Sequence, residues 1–186
     1  GYDKLSVEEG KIVKSDPRVQ IDLNSIAKGY TVDLVAGELD AIGSDDYLVN
    51  IGGEIRCKGE NPKGEPWSIA IETPYDGNYA MDSYQKIVRL SDCGLATSGN
   101  YRQFYYRDGK KYSHTIDPRT GYPVRHNLLS ATIIASDCMT ADAWATACMV
   151  GGLENAKVWV KDNPEIKGYF IYEEDGVLKV WKSEGF

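Results

Sequence analysis

The 186-residue chain has no apolar run approaching the roughly 18 residues of a membrane-crossing helix, which excludes a helical span within it. It shows no leader of the signal-peptide kind. It opens on Gly1-Tyr2-Asp3-Lys4-Leu5, which reads as the interior of a longer protein. A cationic balance is also missing: 21 Lys and Arg stand against 28 Asp and Glu, a net charge of -7. That argues against a general nucleic-acid binder, which needs a basic face to neutralise phosphates. One bound nucleotide stays open, because backbone amides, a lysine and a metal can manage a single pyrophosphate. The four cysteines, Cys57, Cys93, Cys138 and Cys148, form no CxxC pair or other tight zinc-type spacing. Small buried thiols are their expected state, with disulfides open to an oxidising compartment. There is no low-complexity stretch and no clear repeat. With two histidines in the chain, imidazole chemistry falls to His114 or His126.

What is present suits one domain with a real core. Hydrophobic residues make up 42% of the chain, with 19 glycines and 13 tyrosines, a composition of strands, loops and turns. Short strand-like runs occupy 5–23, at Lys11–Lys14 and Val19–Leu23. Helical periodicity follows over 25–41, with Ile26, Tyr30, Val32, Val35, Ala36 and Leu39 on one face and Asn24 or Ser25 as its cap. Tyr47–Ile51 reads as a buried strand ending at the tight turn Gly52-Gly53. Strands are expected at Trp67–Glu72 and Lys86–Leu90, with turn signals at Asn61-Pro62-Lys63-Gly64 and Asp76-Gly77-Asn78. Ser98–Tyr106 reads as a turn entering a strand, and Asp108-Gly109 as a hairpin turn. A strand at Ser130–Ala135, a helix at Thr140–Met149, a short helix at Ala156–Asp162 and a closing hairpin of Tyr169–Tyr172 with Val177–Trp181 complete the chain. The fold class is α+β, a mostly antiparallel sheet with two or three packed helices.

Four segments hold candidate chemistry. In Asp22–Asp33, a lysine and a glycine open a helix. Lys28 beside the helix N-terminus favours an anion such as a pyrophosphate, and Gly29 permits close backbone approach to a ligand. The alternative is a surface lysine on an ordinary turn. In Val49–Arg56, a buried strand ends at Gly52-Gly53 and Glu54. This arrangement can lay backbone against a planar ring while Glu54 bonds a nucleobase or flavin edge; a plain hairpin is the alternative. In Ser113–Val124, His114 precedes a stiff turn built by Asp117-Pro118 and Thr120-Gly121. It reads as an acid, base or phosphate ligand, or as a structural histidine. His126 reads as solvent-facing. In Asp137–Thr146, Asp142 and Thr146 lie four apart on one helical face, where an acid and a hydroxyl can share one hard cation such as magnesium. The alternative places Asp142 by a helix start for its dipole.

The order of these motifs is more specific than any one of them. Asp-x4-AKG-x3-D, NIGGE, ATSG (Ala96–Gly99), H-x-IDP-x-TG and C-x2-ADAWAT follow one another from about residue 18 to about residue 173. In this order the chain resembles the ApbE family of bacterial FAD:protein FMN transferases. The resemblance implies FAD as substrate and Mg2+ as cofactor, with the metal on Asp142, Thr146 and the backbone carbonyl of Ala27. It implies Lys28 and His114 along the phosphates, and Gly52, Gly53 and Glu54 lining the nucleotide. Asp33 and Ser98 match family positions near the site. His114 and Asp142 are the implied catalytic residues, with His114 favoured as the proton or phosphate partner. A threonine (or serine) hydroxyl of a target flavoprotein would attack the FMN-side phosphorus and AMP would leave.

The family usually has a further segment of well over a hundred residues ahead of this region, with other flavin contacts and often a lipoprotein signal. The chain is therefore expected to be a single C-terminal catalytic portion over 1–186. The resemblance also implies a site at the bacterial periplasm or the outer face of the inner membrane, held by a lipid anchor outside this chain. Two other functions stay open: a magnesium-dependent FAD pyrophosphatase releasing FMN and AMP to water, and a non-catalytic FAD-binding module.

Overall fold

The computed structural model describes residues 2–73, 84–99, 104–107, 110–113 and 115–186. Its elements run β1 (Leu5–Glu8), β2 (Lys11–Lys14), α1 (Ala27–Ala41), β3 (Tyr47–Ile51), β4 (Glu54–Lys58), β5 (Trp67–Glu72), β6 (Tyr84–Leu90) and β7 (Cys93–Gly99). They continue with β8 (Phe104–Arg107), β9 (Lys110–Ser113), β10 (Ile116–Asp117), β11 (Tyr122–Pro123), β12 (Leu128–Ala135), α2 (Cys138–Gly151), α3 (Leu153–Asp162), β13 (Lys167–Glu174) and β14 (Val177–Lys182). The turn signals at Asp76-Gly77-Asn78 and Asp108-Gly109, and His114, lie outside the described residues.

Six strands form one sheet in the order β14-β13-β12-β7-β4-β3, and every neighbouring pair is antiparallel. Alternate side chains on a strand point to opposite faces, and the core divides accordingly. Ala96, Ile133 and Phe170 pack with α2 and α3, while their neighbours Leu95, Ile134, Tyr169 and Ile171 pack with the β5–β6 hairpin. The sheet is thus covered by helices on one side and a two-stranded hairpin on the other, the α+β architecture expected.

Several local expectations are corrected. Val19–Leu23 forms no strand; its residues are mostly exposed and lack a ladder partner among the described residues. Neither Asn24 nor Ser25 caps α1: Ile26 stands at the N-cap with no side-chain bond, and the amides of Ile26 and Ala27 both donate to the Leu23 carbonyl. The buried stripe of α1 is Gly29, Val32 and Ala36, whereas Tyr30 and Val35 are exposed. Small residues at the contact let α1 lie close to α2, which leaves no depth for a tyrosine there. Ser98 is no turn; it lies near the end of β7, where it pairs with Ala131 of β12. His126 does not face solvent: it is half-buried, with Nε2 2.7 Å from the carbonyl of Met149 in the last turn of α2.

Helix α2 begins at Asp137, whose carboxylate accepts the Thr140 amide at 2.7 Å and the Thr140 hydroxyl at 2.9 Å. Burial pulls the Asp137 carboxyl upward, but the Thr140 and Ser136 donors outweigh it and leave its pKa lowered. A lowered folded value means the stabilisation is present above the unfolded value and is lost as pH falls through the folded one. Asp137→Ala should cost about 1 kcal/mol in urea unfolding at neutral pH. The difference from the parent should shrink on acidification. A difference that persists unchanged in acid would sink this account of the cap.

Candidate functional site

The segment that opens α1 meets α2 and the β3–β4 hairpin at one place. Gly29 donates its amide to Asp142 Oδ2 at 3.0 Å, joining positions 113 apart in sequence. Lys28 Nζ lies 2.6 Å from Glu54 Oε1. Sequence reasoning thus named residues from three separate segments that the fold brings together.

The absent side chain of Gly29 serves a purpose other than the one expected. A Cβ there would stand 2.5 Å from the Cys138 carbonyl oxygen and 2.7 Å from the Met139 Cα. The space is filled by the backbone of α2, not by a ligand. Asp33, one turn along α1, accepts the amides of Cys138 and Met139 at 3.0 and 2.7 Å. Both of its carboxylate oxygens fasten α1 onto the start of α2 and satisfy two of the amide donors a helix start leaves unpaired. On the sheet side, a Cβ at Gly94 would stand 2.2 Å from the Asp137 carbonyl carbon. These two glycines set how deeply α2 sits. Sequence reasoning missed Gly94 and Asp137; the Asp137-x2-Thr140 spacing ahead of an alanine-rich run was the signal for the cap.

Glu54 is 2% exposed and Asp142 5%, so two carboxylates are buried beside one lysine whose side chain is 53% exposed. Burial pushes both carboxyls above their usual range. Lys28 draws each back in part, and the charge of Asp142 pushes Glu54 further up. Glu54 Oε2 is buried without a hydrogen-bond partner among the described residues. It lies beneath the Gly52-Gly53 turn, 3.7 Å from where a Gly52 Cβ would be. Gly52 and Gly53 have φ of 66° and 104°, the positive values that a tight two-residue hairpin loop needs, and the Gly53 amide donates to Asn50 Oδ1. Removing Lys28 leaves the buried Glu54 charge uncompensated. Lys28→Ala should destabilise the fold by about 1–3 kcal/mol, reduced from the fully buried case by the lysine's exposure. The double variant Lys28→Ala/Glu54→Gln should recover most of that loss in a urea titration. No recovery would mean that the pair is not the cause.

Thr146 lies half-buried one turn beyond Asp142 on α2. The Ala27 carbonyl accepts the Thr31 hydroxyl at 2.7 Å. Among the described residues no cluster of three or more His, Cys, Asp or Glu side chains could hold a metal. The carboxylate of Asp142, the hydroxyl of Thr146 and the carbonyl of Ala27 are hard oxygen donors. This set suits magnesium, which takes one or two carboxylates and completes its shell with phosphates and water. The excess negative charge of the buried carboxylates favours a cation in the same place.

On the opposite face of the sheet a cleft of about 610 Å³ lies between β5 and strands β3, β4 and β7. It is lined by Asn50, Ile55, Thr97 and Ser68–Glu72, and it reaches Gly52, Gly53 and Ser98. The Gly52-Gly53 turn borders both this cleft and the buried Glu54. A nucleotide lying over the turn would have an open cleft on one side and the lysine and carboxylates on the other.

An α+β chain with a six-stranded antiparallel sheet, carrying a lysine and two buried carboxylates where two helices meet a Gly-Gly hairpin, defines a candidate site for a phosphorylated ligand and a hard cation. Residues 1–170 match the ApbE family, and the chain belongs to it. A Haemophilus influenzae protein named FAD:protein FMN transferase is 40% identical over 191 residues, and a Vibrio cholerae protein of the same name is 41% identical over 186 residues. Each match takes in 100% of this chain and 54% of the relative. The chain therefore spans about half the length of these curated relatives. Among solved structures, the flavin transferase ApbE from Vibrio cholerae superposes with a TM-score of 0.88 at 42% identity, over 100% of this chain and 58% of that one. The apo form of the Pseudomonas stutzeri flavinyl transferase ApbE gives 0.86 at 39% identity, over 100% and 56%.

Proposed function

We propose that this chain supplies the metal and phosphate side of a flavin transferase that moves FMN from FAD to a threonine or serine hydroxyl of a target flavoprotein, with AMP leaving. The observation that carries the reading is the junction of Lys28, Gly29, Glu54 and Asp142. Names of relatives that span its whole length support it further. Phosphoryl transfer of this kind depends on positioning and charge neutralisation more than on covalent help. Magnesium on Asp142, Thr146 and the Ala27 carbonyl would supply Lewis acidity toward the pyrophosphate. Lys28, steered by Glu54, places a cation along the phosphates. The Gly52-Gly53 turn gives a planar ring a flat backbone surface. His114 accepts the hydroxyl proton, because a carboxylate committed to a metal is a poor base. The reading places the protein at the periplasm or the outer face of the inner membrane, with any lipid anchor outside this chain.

The test mixes the protein with FAD, magnesium and a protein bearing an acceptor threonine, then looks for flavin fluorescence on the acceptor band of a denaturing gel. Fluorescence that vanishes with a chelator supports transfer. A dark acceptor with AMP in solution replaces it with the pyrophosphatase reading. A dark acceptor without AMP, but with FAD bound, replaces it with the binding module.

A further inference from the structure

Two of the four cysteines face each other away from the flavin site. Cys57 in β4 and Cys93 in β7 are direct partners in the antiparallel ladder, 36 positions apart in sequence. Directly opposed residues point to the same face, with Cα atoms about 4.5–5.5 Å apart. That spacing lies within the range a disulfide spans, so the register permits a bond between them. Both side chains lie in the layer between the sheet and the β5–β6 hairpin, and the Cys57 thiol donates to the Cys93 carbonyl at 3.6 Å.

The surroundings hold the pair in place. Just past Cys57, the Gly59 amide donates to Asp92 Oδ1 at 3.1 Å, and the Ser91 hydroxyl donates to the Gly59 carbonyl. The Trp67 indole donates to the Lys58 carbonyl at 2.9 Å. Access is one-sided. Cys57 is fully buried, whereas Cys93 is partly exposed and lines a cleft of about 370 Å³ with Lys86, Arg89 and Lys167. Cys138 and Cys148 are buried side chains of α2 itself. The contact between the two thiols lowers Cys57 against the pull of burial and, together with burial, raises Cys93, so the two share one proton equilibrium.

We propose that Cys57 and Cys93 form a redox-active dithiol that closes to a cross-strand disulfide on exchange with a small disulfide. The Cys93 sulfur, its proton passed to the neighbouring Cys57 sulfur, attacks one sulfur of the reagent, forming a mixed disulfide and releasing one reagent thiol. The Cys57 sulfur then attacks the Cys93 sulfur and releases the second. The cysteine pair gives up two electrons, the reagent gains them, and the two cysteine protons end on the two released thiols. The bond ties the two ends of the segment that contains the β5–β6 hairpin, which is one wall of the larger cleft.

The test incubates the protein with glutathione disulfide and glutathione in graded ratios, quenches with an alkylating agent and maps the peptides by mass. The expected result is a Cys57–Cys93 crosslink, with Cys138 and Cys148 alkylated as free thiols. Cys57→Ala should instead accumulate glutathione on Cys93. The oxidised protein should melt about 5 °C or more above the reduced one, a shift absent in Cys93→Ser. Glutathione adducts on wild-type Cys93 that never resolve to the crosslink would overturn the proposal. So would a crosslink or adduct on Cys138 or Cys148 formed first.

Discussion

Asp142→Asn should lower flavin transfer about a hundredfold to a thousandfold while leaving the fold as stable as the parent or more so in magnesium-free buffer. The two effects have one source. The amide keeps the shape of the carboxylate, and its oxygen can still accept the Gly29 amide. It removes the negative charge that would hold a cation against the pyrophosphate. A metal contact of this kind is worth several kcal/mol at the transition state, and each 1.36 kcal/mol is a factor of ten in rate. Stability moves the other way because burial raises the Asp142 carboxyl above its usual range. The unfolded chain then loses this proton at a lower pH than the folded one. The contribution is whole below the unfolded value and is lost as pH rises through the folded value. Without magnesium, the difference in urea midpoint between Asp142→Asn and the parent should grow in the variant's favour as pH rises through the carboxylate range, because the parent alone loses this contribution. Glu54, which burial also raises, acts alike in both proteins. Added magnesium should stabilise the parent at neutral pH and leave the variant unmoved. A variant that still transfers flavin and still responds to magnesium would remove Asp142 from the metal's shell.

The elements were legible where periodicity or turn chemistry was strong. Tyr47–Ile51 with its Gly-Gly turn, the strand ending at Ala135 and the hairpin at β13–β14 stand as read, apart from their bounds. β4 and β7 went unread. Glu54–Lys58 and Cys93–Gly99 mix charge, small residues and glycine, and they become strands because sheet neighbours pair with them on both sides. The face of α1 was misread for a related reason. Its contact with α2 is made by glycine and alanine at the backbone, a signal that hydrophobic periodicity does not contain. The site shows the same division. Residue types and order pointed to Lys28, Glu54 and Asp142, because charges ahead of small residues are visible in one dimension. That Lys28 pairs with Glu54, that Asp33 caps a helix over a hundred positions away, and that Gly29 yields its space to α2 are consequences of packing between distant segments. The same holds for Cys57 opposite Cys93, which depends on a strand register no spacing rule gives.

Gly29→Ala and Gly37→Ala, on the same helix, should move stability in opposite directions. Alanine is favoured over glycine in a helix by about 1 kcal/mol, because glycine gives up more backbone freedom on folding. At Gly37 none of the described residues stands within 4 Å of the new Cβ, so Gly37→Ala should stabilise the protein by about 0.5–1 kcal/mol. At Gly29 the new methyl meets the Cys138 carbonyl oxygen at 2.5 Å and the Met139 Cα at 2.7 Å. Both are backbone atoms in the first turn of α2, held by Asp33 of the same α1. Neither helix can yield without stretching the Gly29–Asp142 bond and the Asp33 bonds together. Overpacking and the loss of a buried charged acceptor's bond each cost about 1–3 kcal/mol, so the net should be a destabilisation of about 2–4 kcal/mol despite the propensity gain. Flavin transfer should fall with it, since Asp142 and Lys28 are placed by the same contact. Urea titrations of the two variants beside the parent decide the matter. If Gly29→Ala is as stable as Gly37→Ala, the helices do not meet at Gly29 as described, and the junction that organises the site is wrong.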